Sequence, residues 1–417
     1  MTNEGHLKEM GISISKRKSI FLSLVLVNII RNMGYNFVNP GFPDFVKSFE
    51  GTVVIYGLAI GILQITQTIF QLPYAFLSNK IGRKKAIAIG YVIHIIGTVL
   101  CGFSTQIWQI ILYRAISGIG VYASVIFATL SDLYDESERA KHFSFYTMSL
   151  TVGYILGNFL GGVITDYIES FSWLFFISAI LNFIGFVFLM GIIPETNMKF
   201  LGIEQNSKIE VHNLKKCQKN TRKPYGLPFI FGLVMHGVKN FFFGGFLAIQ
   251  IWYYTDIYNL SGTWKGIILL ILTIFYIIGL YIAPKLRKKI SYFTYIIITS
   301  IALAVFILAT SFVETNLYLY VSTNLLLAFT LAMQDPITTS YVTNHMDENN
   351  LSLGSGILST VGMLFYAIGQ ISISGLAKVL RFQWLHITSS IFWAFLIGLI
   401  LLVNYILKNR DKKEQKF

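Results

Sequence analysis

Apolar runs long enough to cross a bilayer as helices recur along this chain, separated by short polar turns. They fall at about 20–39, 54–77, 86–104, 106–130, 141–166, 170–193, 226–255, 263–284, 290–312, 316–342, 352–377 and 383–407. The pattern predicts an all-α membrane protein with twelve transmembrane helices. The first run follows Lys16, Arg17 and Lys18 without a small-residue cleavage pattern, so it is expected to remain as a span. The only long connection, rich in lysine, lies between Pro194 and Pro224 and divides the spans into two sets of six. The expected organisation is an N-terminal bundle over 1–193, a cytoplasmic central loop over 194–225 and a C-terminal bundle over 226–417.

Composition supports this reading. Of 417 residues, 54% are hydrophobic and 13% charged, where soluble domains carry about 25% charged residues. Cys101 lies in an apolar run and Cys217 in the lysine-rich loop, which argues against a disulfide framework or a thiolate metal site. No cofactor or metal is implied. The formal charge of +13 would suit nucleic acid only if it formed a solvated patch with stacking aromatics. Most of the 33 lysines and arginines instead fall on one side of the spans, with Lys47, Lys265, Lys378 and Arg381 on the other. The positive-inside rule then places both termini in the cytoplasm of a multi-pass protein, expected in the cell membrane as a monomer. Three cations remain within the spans: Arg31, Arg114 and Lys239.

The two sets of spans repeat. Asn28, Arg31 and Asn32 of the first span recur as His236, Lys239 and Asn240 of the seventh, about 208 residues later. Gly57 and Gly266, Arg83 and Arg287, and Gly153 and Gly362 recur near the same offset. Two pseudo-symmetric six-helix bundles are therefore expected, with a solute site between them.

Asn28, Arg31, Asn32, Tyr35, Asn36 and Asn39 share one face of the first helix. An arginine near a helix centre costs about 2.5–3.5 kcal/mol on insertion scales, so this face should line protein or water. It is read either as a solute site or, for the asparagines, as interhelical hydrogen bonding. His236, Lys239, Asn240 and Gln250 repeat the arrangement on the seventh span. Two cations about 10 Å apart would repel by about 1–2 kcal/mol at an effective dielectric near 20, which an anion between Arg31 and Lys239 would relieve. Asp335, beside Gln334 on the tenth span, is the carboxylate placed well inside the hydrocarbon; it can pair with Lys239, carry a proton, or do both. Gln64, Gln67 and Gln71 form a further stripe that suits either packing or solute contact.

Leu77-Ser78-Asn79-Lys80-Ile81-Gly82-Arg83-Lys84-Lys85 resembles the loop motif of the major facilitator superfamily, with Ala75 in place of its first glycine and Asn79 in place of its aspartate. Gly82 suits the tight turn, and Arg83 is placed to reach Asp132 at the end of the fourth span. Arg114-Ala115-Ile116-Ser117-Gly118-Ile119-Gly120 resembles the family's fourth-span motif, which implies a coupling role for Arg114. Gly153-Tyr154-Ile155-Leu156-Gly157-Asn158-Phe159-Leu160-Gly161-Gly162 is similar to the fifth-span motif of its twelve-helix proton-coupled drug antiporters, with Asn158 where those carry proline. Pro194-Glu195-Thr196 also resembles the family.

The resemblance implies a major facilitator fold and a secondary active transporter working by alternating access, with no enzymatic activity. The first version is proton-coupled efflux of a drug or metabolite. Its expected solute contacts are Arg31, Asn32, Tyr35, Asn36, Gln64, Gln67, His236, Lys239, Asn240 and Gln334. Asp335 and Arg114 are expected to couple the proton, and Asn79, Gly82, Arg83, Asp132, Gly153, Gly157 and Gly161 to serve gating. The alternative is an exchanger or symporter of an anionic metabolite, an organic phosphate or carboxylate, held between Arg31 and Lys239. No ATP-binding loop points to a primary pump, and no His-Glu-x-x-His pattern points to a membrane metalloenzyme.

Overall fold

The structure, a computed structural model, describes residues 14–120, 122–134, 136–197, 226–345 and 351–414. Most of the central loop and Cys217 lie outside the described residues. Among those described, twelve helical segments are long and apolar enough to cross a membrane. The protein is an integral multi-pass membrane protein. Leu22, Leu72, Phe76, Phe395 and many other large side chains are exposed; against water this surface would drive aggregation, but against lipid it is the ordinary exterior.

The helices are α1 (Ile14–Phe37), α2 (Phe42–Lys47), α3 (Val53–Ile81), α4 (Arg83–Gly102), α5 (Ile107–Ile119), α6 (Ala123–Leu133), α7 (Glu136–Thr165) and α8 (Ser172–Ile192). They continue with α9 (Leu227–Asp256), α10 (Gly262–Arg287), α11 (Tyr292–Thr310), α12 (Leu317–Asn344), α13 (Leu351–Val379) and α14 (Phe382–Glu414). The first expected span is followed by a further short helix beyond residue 39, and the fourth is subdivided. A 3-10 turn at Asn39–Gly41 separates α1 from α2, with Pro40 and Pro43 at the starts of the segments they open, where no helical N–H is needed. The fourth span breaks after Ile119 and resumes at Ala123. Gly120 caps the first half, and the side chain of Tyr122 enters the core of the bundle at the break.

The chain forms two compact units: Met1–Lys223 with Asn259–Ile267, and Pro224–Tyr258 with Ile268–Phe417. Residues 259–267 group with the first unit although they lie after the seventh span in the sequence. There Asp166 accepts from the backbone N–H of Gly262 at 2.5 Å and of Thr263 at 2.9 Å, and Lys265 pairs with Asp44. These contacts tie the start of α10 to the first unit.

The repeat is visible in packing. In the first unit α1 packs most extensively on α7, and in the second α9 does so on α13. A Cβ at Gly157 or Gly161 would collide with the backbone carbonyl of Met33 or Phe37, and one at Gly369 with that of Phe241. Each unit thus builds its tightest helix pair on glycine against backbone. The core of the first unit includes Leu24, Tyr91, Tyr122, Ile126 and Leu130; that of the second includes Met235, Tyr295, Met333 and Ile337.

Candidate solute and coupling sites

On α1 the polar face resolves into two functions. Asn28 donates to the Tyr146 carbonyl at 3.0 Å and the Ser149 hydroxyl at 2.7 Å on α7. Asn32 donates to the carbonyl and side chain of Asn28, Asn36 to the Asn32 carbonyl, and Asn39 to the Asn36 and Asn158 side chains. The asparagines therefore form a ladder that fastens α1 to α7. Asn158, standing where the antiporter motif has proline, supplies its outer rung. Asn32 and Asn36, expected among the solute contacts, spend their amide donors on this ladder.

Arg31 lies outside the ladder. Its guanidinium carbon sits 4.7 Å from the Tyr122 ring centroid, and its Nε has no hydrogen-bond partner. Tyr122 stacks on Tyr91 with centroids 4.5 Å apart. One turn along, the Tyr35 hydroxyl accepts from Gln64 at 3.1 Å, and its ring stacks with that of His94. His94 is buried, its Nδ1 lies 2.9 Å from the Ser117 hydroxyl, and its Nε2 has no partner. Arg114, on the same helix as Ser117, is buried with its guanidinium 4.5 Å from the Phe42 ring centroid and its Nε unpartnered. Neither arginine has a salt bridge among the described residues. Rings offer each cation about 0.5–2 kcal/mol, less than the several kcal/mol that removal of an ion from water costs.

In the second unit the balance is different. Lys239 on α9 is 3% exposed and its ammonium donates to Asp335 on α12. The carboxylate is 32% exposed and accepts a second hydrogen bond from the Tyr276 hydroxyl at 3.3 Å. Pro336 follows it, so the Ala332 carbonyl loses its ordinary helical donor beside the carboxylate. Gln334, expected to face the solute, is buried and donates to Thr299 and Ser300 of α11, both at 3.1 Å. Asn240 donates back to the His236 carbonyl, while His236 is buried with its Nδ1 unpartnered. Gln67 is also buried.

The loop before α4 forms a separate cluster. Arg83 donates from Nε to Asp132 at 3.0 Å and from a terminal nitrogen to Ser78 at 2.7 Å and Asn79 at 2.8 Å. Asn79 still accepts from the arginine, though without a charge. The Glu195 carboxylate accepts from the backbone N–H of Arg83, Lys84, Thr196 and Asn197, placing an anion where the α4 dipole favours one. Gly82 has φ +95°, and a Cβ there would strike Glu195, so backbone and space both call for glycine.

The sequence pattern of the Major Facilitator Superfamily matches residues 24–370. The chain belongs to that superfamily. It is 34% identical over 176 residues to the inner membrane transport protein YajR of Escherichia coli, an alignment covering 42% of this chain and 38% of that protein. It is 32% identical over 191 residues to multidrug resistance protein 3 of Bacillus subtilis, covering 45% and 33%. These matches span well under two thirds of either relative's length. Among solved structures, an inward-facing, occupied bacterial homologue of the human lysosomal transporter Spinster superposes with a TM-score of 0.73 at 14% identity, covering 94% of this chain and 98% of that one. The sequence singles out Arg31, Arg114, Lys239 and Asp335 as candidates. It does not single out Tyr122 beside Arg31 or Tyr276 beside Asp335, because single tyrosines in apolar spans carry no spacing signal, and the Pro194-Glu195-Thr196 resemblance does not say which N–H groups the Glu195 carboxylate meets.

Proposed function

We propose that this superfamily member is a secondary active transporter that exports a small solute in exchange for protons by alternating access, with Asp335 as the proton carrier. The Lys239–Asp335 pair carries the reading. An ionised carboxylate and a buried ammonium offset one another; protonation of Asp335 leaves Lys239 as an uncompensated buried charge, which disfavours that arrangement of α9 and α12. The carboxylate is the more exposed partner, so proton exchange with water occurs there. The Tyr276 hydroxyl steadies the ionised form. Drug resistance in the name of one relative supports export, and the charge asymmetry of the loops supports cytoplasmic termini in the cell membrane.

The anionic-metabolite reading changes in one respect. Lys239 is engaged by Asp335, which makes it a poor half of an anion clamp, whereas Arg31 remains available. The test is proton movement in proteoliposomes of the full chain under an imposed pH gradient, with tetracycline, ethidium and benzenesulfonate added in turn. At least one solute is expected to dissipate the gradient with the wild type and none with Asp335→Asn. Solute-driven proton flux that persists in Asp335→Asn would remove Asp335 from the mechanism, and solute flux indifferent to the gradient would remove coupling.

A further inference from the structure

Within the first unit, His94 on α4 has one ring nitrogen bonded and the other bare. Its Nδ1 lies 3.1 Å from the Ser117 carbonyl and 2.9 Å from the Ser117 hydroxyl on α5. A carbonyl only accepts, so Nδ1 carries the hydrogen and Nε2 presents a lone pair. The side chain is 3% exposed, and Nε2 has no partner among the described residues. Close approach of the helices fixes this orientation: a Cβ at Gly97 would strike the Ser117 backbone, and one at Gly120 the His94 backbone. His94 belongs to a closed circuit of side chains. Its ring stacks with that of Tyr35, centroids 6.1 Å apart, and Arg31 is one turn from Tyr35 on the same face of α1. The Arg31 guanidinium carbon sits 4.7 Å from the Tyr122 ring centroid, Tyr122 stacks on Tyr91 at 4.5 Å, and Tyr91 is one turn from His94 on α4. Arg31 adds an Nε–H without an acceptor. Arg31, Tyr35 and Gln64 are only partly buried, so the circuit is not sealed.

We propose that His94 and Arg31 bind an uncharged, flat solute that carries a hydrogen-bond donor beside an acceptor, as the edge of a cyclic amide or imide does. The ligand N–H meets the bare His94 Nε2, and its carbonyl meets the Arg31 guanidinium in a charge-assisted bond. An ionised carboxylate, sulfonate or phosphate has acceptors only; it leaves Nε2 unpaired and sets lone pairs against it. The faces of Tyr35 and Tyr122 suit a planar body. Gln64 donates to the Tyr35 hydroxyl at 3.1 Å and holds that ring in place. The inference rests on the transport reading above and names its solute class.

The test uses the purified full chain in an uncharged detergent, with three flat probes of thermal stability: the bicyclic lactam carbostyril, its N-methyl form, which lacks the donor, and quinaldate, which offers a carboxylate instead. Carbostyril should raise the unfolding temperature saturably, with a half-saturation about tenfold or more below those of the other two. His94→Phe, which keeps a ring beside Tyr35 but no acceptor, should erase the preference for N–H over N-methyl. Arg31→Gln should weaken the lactam and its N-methyl form alike, and Gly191→Ala should bind as the wild type does. Equal half-saturation for carbostyril and its N-methyl form would overturn the proposal and leave an ordered water as the partner of Nε2. Tighter binding of quinaldate, or no saturable shift with any probe, would overturn it too. The wild-type comparison decides even where a variant does not fold. Proton exchange with tetracycline or ethidium, without a preference for the lactam, would end this assignment and leave coupling standing; the preference without any solute-driven proton movement would do the reverse.

Discussion

Arg83 reaches Asp132 from the opposite end of a different helix, Nε to Oδ2 at 3.0 Å, and the same carboxylate oxygen accepts from the Thr196 hydroxyl at 3.2 Å. The Arg83–Asp132 pair thus connects the end of α3 and the start of α4 to the end of α6 and, through Thr196, to the segment after α8. Because hydrogen bonds to charged groups contribute about 1.5–3 kcal/mol, Arg83→Ala should destabilise the protein by about 2–3 kcal/mol. Asn79→Asp, which turns a neutral acceptor into a charged one, should add up to about 1 kcal/mol. Thermal unfolding in detergent reads both, and a neutral Arg83→Ala variant would show that the cluster does not hold the loop.

The Lys239–Asp335 pair should display strong non-additivity. Asp335→Leu leaves a fully buried ammonium alone and should cost about 3–5 kcal/mol, whereas the double variant Lys239→Met/Asp335→Leu should recover most of that loss. Unfolding midpoints of the wild type, Asp335→Leu, Lys239→Met and the double variant complete the cycle. A double variant as unstable as Asp335→Leu alone would mean that the lysine's charge is offset elsewhere.

Close packing of α1 on α7 makes a sharp steric prediction. Gly161→Ala places a methyl against the Phe37 carbonyl and should cost about 1–3 kcal/mol. Gly191→Ala on α8, where no atom lies within 4 Å of the new carbon, should be neutral or slightly stabilising. Equal melting temperatures for the two variants would contradict the glycine-to-backbone contact.

Asp166 gives a pH prediction. Partial burial raises its carboxyl pKa, but hydrogen bonds from Thr263, Gly262 and Ser261 outweigh this and hold it below the ordinary carboxylate value of 3.8. A depressed folded pKa means stability that is present above the unfolded value and lost only as pH falls through the folded one. The difference in unfolding temperature between wild type and Asp166→Asn should therefore be constant from pH 5 to pH 8. A difference that shrinks between pH 7 and pH 5 would show that the group titrates higher.

Adjacent residues on α12 show where sequence reading ran out. Gln334 and Asp335 are neighbours, and both were assigned to the solute or coupling site. They point about 100° apart on a helix, so one turns to Thr299 and Ser300 while the other meets Lys239. Which polar side chain on a mixed face finds a partner depends on which helix packs beside it, a relationship absent from local spacing. The asparagines behaved likewise: their shared face was legible, but only the approach of α7 gave Asn28 and Asn39 their partners Tyr146, Ser149 and Asn158.

Run length and charge bias are local properties, so the sequence by itself determined twelve spans, their division into six plus six, the repeat and the ionisable residues within the membrane. Pairing is a property of space. The tertiary structure alone decided that Lys239 is neutralised by Asp335 while Arg31 and Arg114 have no salt bridge among the described residues, because helices distant in the chain bring a carboxylate to one cation and aromatic rings to the others.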